Sequence, residues 1–311
     1  MELRKDYILD RWVIISEGRS KRPHQFKHEE KKEDKVCFFC PGNEHMTPDE
    51  IVRIEKDKKW TMRVFPNKFA AVEKKGEINI ETHNTYFTFA NAYGSHEIIV
   101  ETNDHKKQLW DLNKEELKEL LSLYNQRIIE INKDENIKYV CVIKNHGKDG
   151  GTSLIHSHSQ IIAYNHLPTN IQEKIDAYKS FAHCPMCDIW KVEKKSDRKC
   201  FENNTFIAFT PYASRFNYEI LVMPKRHVTK LDDLTEEELN DFSEIWHKIL
   251  VKLNELGVSF NHYIHYSPDN ADLHLTLEIC PRIAKWAGFE ISSNTIINSV
   301  SPESAAEFYR E

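Results

Sequence analysis

The stretch GTSLIHSHSQII, residues 151–162, sets two histidines and a glutamine at alternate positions behind a glycine-rich turn. In an extended strand, residues i, i+2 and i+4 point to one side. The pattern therefore predicts His156, His158 and Gln160 on one face. A neutral imidazole is a capable nucleophile toward phosphorus at neutral pH, and the phosphoramidate it forms is readily passed on. A glutamine on the same face can donate its amide N–H to a phosphoryl oxygen as charge builds there. The preceding turn, NHGKDGGTS (residues 145–153), offers backbone N–H groups together with Lys148, Thr152 and Ser153 for an anion.

Which histidine attacks depends on what occupies the other, and the cysteines bear on that. Four of the seven form Cys-x-x-Cys pairs, Cys37/Cys40 and Cys184/Cys187, while Cys141, Cys200 and Cys280 stand apart. An odd count without a secretion signal argues against a disulfide framework and for metal ligands or redox pairs. The sixteen histidines favour metal.

The decisive feature is an internal repeat. HEIIVETNDHKKQLWDLNKEEL (96–117) matches YEILVMPKRHVTKLDDLTEEEL (218–239) in pattern, and each is followed by an amphipathic helical run. DLNKEE and DLTEEE both read as helix starts, an Asn or Thr cap with acids in the first turn. Upstream of each copy lies a Cys-x-x-Cys. Downstream come the strands KYVCVIKN and NHYIHYS, then HSHSQII matched by HLTLEIC. Each half thus offers Cys, Cys, His, His in the same order: Cys37, Cys40, His105, His156, and Cys184, Cys187, His227, His274. Such sets suit tetrahedral zinc in a closed, structural site. Two zinc ions are expected. With His156 ligated, His158 is the free imidazole. Its counterpart in the second half is Thr276, and that of Gln160 is Glu278, so the reactive site belongs to the first half.

Composition sets outer bounds. The 311 residues suffice for one large or two ordinary domains. The hydrophobic fraction of 40% is that of a globular chain, and the net charge of −6 offers no basic footprint for nucleic acid. No apolar run approaches the roughly 20 residues of a membrane span, and MELRKDYILDRW lacks a signal-peptide core. A cytoplasmic enzyme without nucleic-acid or membrane partners is expected.

The ordered series Cys-x-x-Cys, RVFPNKF, GSHEIIVETNDH, KNHGKDGGTSLIHSHSQ and GFEI resembles the galactose-1-phosphate uridylyltransferase family of the histidine-triad superfamily. The resemblance runs from RWVIISEGRSKRP to SPESAAEF. It implies an α+β fold of two histidine-triad-like halves, 1–170 (catalytic) and 171–311, each a mainly antiparallel sheet with packed helices. It also implies ping-pong transfer, in which a histidine displaces a sugar phosphate from a nucleotide sugar and a second acceptor attacks the nucleotidyl-enzyme. By that resemblance His158 is the nucleophile and Gln160 the phosphoryl stabiliser. Cys37, Cys40, His105 and His156 match a structural zinc site. Asn67 and Lys68 fall where base and ribose are held, Asn145 and Ser153 near the phosphates, and Arg19 and Arg22 beside the substrate phosphates. Glu290 matches the hexose-binding glutamate. A homodimer whose partner chain helps complete the hexose site is implied as well.

Three departures shape the substrate expectation. The family signature His-Pro-His-Gly-Gln reads His-Ser-His-Ser-Gln here, and the second metal set contains a Cys-x-x-Cys. Both features are more similar to the nucleotide-sugar phosphorylase branch that acts on ADP-glucose. The glutamine expected a few residues after Glu290 is missing from SSNTIIN. The primary expectation is hexose-1-phosphate uridylyl transfer with UDP-glucose and galactose 1-phosphate as the type. The alternatives are phosphorolysis of an ADP-glucose-type nucleotide sugar by inorganic phosphate, hydrolysis as in small histidine-triad proteins, and a non-catalytic zinc-binding module.

Overall fold

A computed structural model describes residues 1–18 and 36–311. The first half builds β3 (Val52–Lys56), β4 (Lys59–Pro66), β7 (Gly94–Val100), helix α1 (Lys114–Ile131), β8 (Tyr139–His146) and β9 (His158–Tyr164). The second repeats that order with β10 (Lys199–Glu202), β11 (Phe206–Phe209), β12 (Ile220–Pro224), α4 (Glu236–Leu256), β13 (Phe260–His265) and β14 (Thr276–Pro281). The repeat read from the sequence is thus a repeat of structure. The fold is α+β.

The two sets join edge to edge. One antiparallel ten-stranded sheet runs β10-β11-β12-β14-β13-β8-β9-β7-β4-β3, and its seam is the pairing of β8 with β13, Asn145 opposite Asn261 and Ile143 opposite Tyr263. Alternation decides what each face carries. Val140, Val142, Phe260 and Ile264 point to the helices and are buried, whereas Ile143, Asn145, Asn261 and Tyr263 point to the opposite, open face.

Both long helices lie on the first face because of where their apolar residues fall. Leu117, Leu120, Leu121, Tyr124 and Ile128 of α1, with Phe242, Ile245, Trp246, Ile249 and Leu253 of α4, join one core. Each large side chain so buried contributes about 1.5–3 kcal/mol. The caps expected from the sequence are present: Asn113 with Glu116 and Thr235 with Glu238 form reciprocal capping boxes. Gly257 ends α4 in the left-handed conformation, φ 63°.

Peripheral elements tie the chain ends together. The hairpin of β1 (Glu2–Lys5) and β2 (Trp12–Ile15) pairs in parallel through β2 with β15 (Ile296–Asn298). The last helix, α6 (Pro302–Arg310), buries Ala305, Ala306 and Tyr309. Helix α2 (Thr169–Tyr178) and helix α3 (Met186–Glu193) link the halves, while β5 (Glu81–His83) and β6 (Phe87–Phe89) form an exposed hairpin. Among the described residues, no helix is long and apolar enough to cross a membrane.

Candidate active site and metal centres

Strand β9 begins at His158, not at His156. His156 sits in the bend before it, which separates the two histidines in role as well as position. Its Nε2 lies 2.7 Å from the Thr102 carbonyl oxygen, an atom that only accepts, so the proton is on Nε2. Nδ1 then carries the lone pair, 3.5 Å from Cys37 Sγ and 3.7 Å from Cys40 Sγ, with His105 Nδ1 3.4 Å from Cys40 Sγ.

The second quartet repeats this arrangement. His274 Nε2 is 2.9 Å from the Pro224 carbonyl oxygen, and its Nδ1 faces Cys184 and Cys187 at 3.6 and 3.7 Å. His227 Nδ1 is 3.6 Å from Cys187 Sγ while its Nε2 contacts Asp272 at 2.8 Å. In each quartet all four donor atoms lie within 4.8 Å of one another. A histidine whose outer nitrogen is tied to a carbonyl or carboxylate is a ligand with its tautomer already chosen. Both clusters could hold a metal ion. Burial pushes the Cys40 thiol up to about 11 and Cys184 up to about 12, which a bound cation would reverse.

His158 shows the complementary arrangement. Its Nδ1 donates to the His156 carbonyl at 2.8 Å, leaving Nε2 unprotonated, and the ring packs edge-on against Phe39 at 5.3 Å. Burial, with the Lys144 charge adding to it, brings this imidazole down to about 4, so it is neutral across the physiological range. The side chain has a lone pair on one fixed nitrogen and no metal-facing partner.

Gln160, next on that face, is oriented by a residue the sequence reading did not single out. The Ala71 backbone N–H donates to His96 Nδ1 at 3.1 Å, which places the ring proton on Nε2, 3.0 Å from Gln160 Oε1. With Oε1 accepting from His96, the Gln160 amide N–H groups are left to donate outward. Asn67 Oδ1 accepts from the Phe69 backbone, so its Nδ2, 3.1 Å from the same His96 nitrogen, meets it as a second donor and packs against it without a hydrogen bond. Asn67, His96 and Gln160 thus lie together, on the strand face that begins with His158. The sequence carried no signal for His96: it sits two residues before Ile98, and only the sheet shows that Ile98 pairs directly with Gln160.

The glycine turn takes the expected shape. Gly151 has φ +85°, and a side chain at Gly150 would begin 2.1 Å from the His146 carbonyl oxygen. Asn261, across the seam, donates to both Gly150 O and Asn145 Oδ1 at 2.7 Å while accepting from Arg282 at 3.1 Å. This fixes the Asn145 amide with its nitrogen directed away from Asn261.

The other expected residues are placed less tightly. Lys68 and Ser153 are exposed. Glu290 lies on the short helix α5 (Gly288–Ser293), where its carboxylate accepts from the Ala287 N–H at 2.9 Å; among the described residues no hydrogen bond joins it to His158 or Gln160. Arg19 and Arg22 lie outside the described residues.

Beneath the open face strand β9 rests on buried charge. Glu101 accepts from Lys144 Nζ at 2.5 Å, from Ser157 Oγ at 2.6 Å and from Ser159 Oγ. Tyr124 of α1 reaches Ser159 at 2.6 Å. Burial alone would raise the Glu101 carboxyl, but Lys144 and the two serines bring it below its ordinary value. Ser157 and Ser159 flank His158, so this network fixes the backbone on either side of that histidine.

Comparison with known proteins agrees with this construction. The N-terminal domain model of galactose-1-phosphate uridyl transferase matches residues 1–168, and its C-terminal domain model matches residues 144–275. An ADP-glucose phosphorylase of Arabidopsis thaliana is 31% identical over 100% of this chain and 92% of its own. A galactose-1-phosphate uridylyltransferase of Thermotoga maritima is 29% identical over 100% of this chain and 98% of its own. The crystal structure of the Arabidopsis thaliana ADP-glucose phosphorylase with bound ADP-glucose superposes with a TM-score of 0.86 at 28% identity, covering 100% of this chain and 98% of the other. A sheet duplicated across a seam, two Cys/His quartets and one free histidine thus meet a full-length sequence match, and the chain belongs to the galactose-1-phosphate uridylyltransferase family.

Proposed function

We propose that this enzyme transfers a nucleotidyl group from a nucleotide sugar through a covalent intermediate on His158. The observation that carries the reading is the tautomer of His158, whose Nδ1–H is held by the His156 carbonyl so that Nε2 presents its lone pair beside Gln160. Nε2 attacks the α-phosphorus; the Nε2–P bond forms as the bond to the sugar-phosphate oxygen breaks. The sugar 1-phosphate leaves as an anion and needs no proton. The imidazole ring then carries positive charge, which the His156 carbonyl stabilises through Nδ1–H. Gln160, held by His96, donates to the phosphoryl oxygens, and Asn145 with the turn through Ser153 flanks the phosphates. A phosphate oxygen of the acceptor attacks phosphorus from the opposite side and restores the neutral ring. Asn67 and Lys68 hold base and ribose in this account, Arg19 and Arg22 stand by the phosphates, and Glu290 serves the hexose.

The main reading of the substrates is a uridylyl donor such as UDP-glucose with a hexose 1-phosphate as acceptor. Phosphorolysis of an ADP-glucose-type donor is the second reading, favoured by the His-Ser-His-Ser-Gln sequence and by the likeness to the Arabidopsis thaliana phosphorylase. A panel of nucleotide sugars labelled at the α-phosphate, quenched without acceptor, identifies the donor. Chase with hexose 1-phosphate or with inorganic phosphate then separates the two readings. Failure of every donor to leave label on protein would refute both.

We further propose zinc in both quartets. A tetrahedral ion with bonds of about 2.3 Å to sulfur and 2.0–2.1 Å to nitrogen has S···N edges of about 3.6 Å. The contacts of 3.4–3.7 Å match that edge. With four protein donors in each set, the metal's part is to hold β9 and β14 in place. We take 1–170 and 171–311 as the two units of the duplication, supported by the repeated element order. The free thiols fit a cytoplasmic setting. The homodimer implied by the family is retained, with light scattering as its test.

A further inference from the structure

We infer that Asp272 is a positioning residue for the second quartet, so that this set holds its ion more tightly than the set beside His158 and the first-half ion is released first. The inference rests on zinc in both quartets, as proposed above.

The two quartets match almost throughout. Each draws two thiols from a Cys-x-x-Cys turn closed by the second cysteine's N–H on the first's carbonyl, Cys40 on Cys37 at 3.3 Å and Cys187 on Cys184 at 3.2 Å. Each has one buried histidine whose Nε2 is held by a backbone carbonyl, His156 by Thr102 and His274 by Pro224. The other three residues of each set are half-buried. These features favour neither set.

The outer histidines differ. His227 Nε2 donates to Asp272 Oδ1 at 2.8 Å, which leaves the lone pair on Nδ1, facing Cys187. His105 also turns Nδ1 to its cysteine, Cys40, at 3.4 Å, but its Nε2 has no hydrogen-bond partner among the described residues. Asp104, adjacent to it in sequence, accepts instead from the Lys106 N–H at 2.9 Å. Asp272 stands two residues before His274; two residues before His156 stands Leu154, which packs against the cluster of Phe39 and Phe65. One position thus supplies an apolar contact in the first half and an acceptor for the outer histidine in the second.

A carboxylate on the outer nitrogen selects the tautomer a metal needs, orients the ring and makes it a better donor. An imidazole without that partner samples the other tautomer and turns about its side-chain bonds, freedom that binding must remove. Loss of such a partner lowers metal affinity by about 10–100-fold, and the exposure of the Asp272 carboxylate places it at the lower end. Between related sites such a difference appears mainly in dissociation. The Cys37–Cys40 turn also carries Phe39, packed edge-on against His158 at 5.3 Å, so the ion given up first is the one nearest the nucleotidyl site.

Full-length protein reconstituted with zinc, checked for two ions by elemental analysis and mixed with excess chromophoric chelator, tests this. Release should follow two phases of one ion each, the second slower by about tenfold. Asp272→Ala, at an exposed position, should speed the slow phase by about the same factor and leave the fast phase as it was. Asp272→Asn, which keeps an acceptor without the charge, should fall between. Cys37→Ser should lose the fast phase and keep the slow one. A general loosening of the fold would speed both phases alike. A single phase of two ions, a slow phase unchanged or both phases equally accelerated in Asp272→Ala, or loss of the slow phase in Cys37→Ser would overturn the inference. Fewer than two ions after reconstitution would instead refute the zinc reading on which it rests.

Discussion

Residues 158–160 and 276–278 occupy the same place in two copies of one strand, and they have been put to different uses. In the first half His158 has a free nitrogen, and Gln160 is held by a neutral histidine with its N–H groups directed outward. In the second half Thr276 stands in the place of His158, and its buried hydroxyl has no partner. Glu278 replaces the glutamine and is consumed internally: Lys174 donates to it at 2.5 Å, Tyr263 at 2.9 Å, and His265 lies 3.1 Å away. Burial would raise its carboxyl, yet Lys174 and His265 hold it well below the usual range. A fixed negative charge there would repel a phosphoryl group, whereas a glutamine amide attracts one.

The contrast continues on the helix side of the strand. Where Glu101, Lys144, Ser157 and Ser159 form a buried network, the corresponding positions are Met223, Ile264, Leu275 and Leu277, all fully buried and apolar. The metal quartets, the helix caps and the strand order are common to both halves. The Cys/His quartets and packing are therefore the common scaffold, while His158 and the charge beneath it are what distinguish the first copy.

This division can be broken at several points. Removing His158 has the largest expected effect: His158→Ala should reduce turnover to background, because His156 presents its remaining nitrogen to Cys37 and Cys40. Cys184→Ser should come next. It should lower the metal content from two ions per chain to one and destabilise the second half by several kcal/mol, since structural metal binding is folding free energy. Elemental analysis together with thermal unfolding reads both, and donor labelling of protein that remains folded should persist.

Glu101→Met leaves Lys144 buried without its partner and should cost about 3–5 kcal/mol in denaturant unfolding. Adding Lys144→Ile copies the second half, and should return much of that loss. A double variant no more stable than the single would show that the charge pair is not what couples the two positions. Gln160→Ala should fold normally and lose about 2.7–4 kcal/mol of transition-state stabilisation, by analogy with removal of an oxyanion-hole donor; pre-steady-state labelling rates measure it. Thr276→Val should change least. It removes an unpartnered buried hydroxyl while keeping the shape, and is expected to be neutral or slightly stabilising in unfolding experiments, with turnover intact.

Much of this was legible in the sequence because it is local or repeated. The Cys-x-x-Cys pairs, the capping residues and the alternation in HSHSQ each fix chemistry over a few positions, and their recurrence in register exposes the duplication. The contributions of His96 and Asn261 were not legible. Each acts through a strand pairing across many residues, His96 toward Gln160 and Asn261 across the seam toward Asn145, and nothing in GSHEIIV or NHYIHYS specifies the neighbouring strand. Glu101 and Lys144 read as ordinary charges until β7 and β8 are seen to flank the same strand. Extending the alternation back to His156 placed it in the strand, whereas its side chain, turned toward Cys37 and Cys40, requires the bend before His158.

The central claim is that one histidine of the pair carries the chemistry and the other the metal. It is tested most directly by trapping. Wild type mixed with a nucleotide sugar labelled at the α-phosphate, without acceptor, should retain acid-labile, base-stable label on His158, and the His158→Ala variant should retain none while keeping two metal ions. Stable label on the His158→Ala protein, or undiminished turnover by it, would contradict the account.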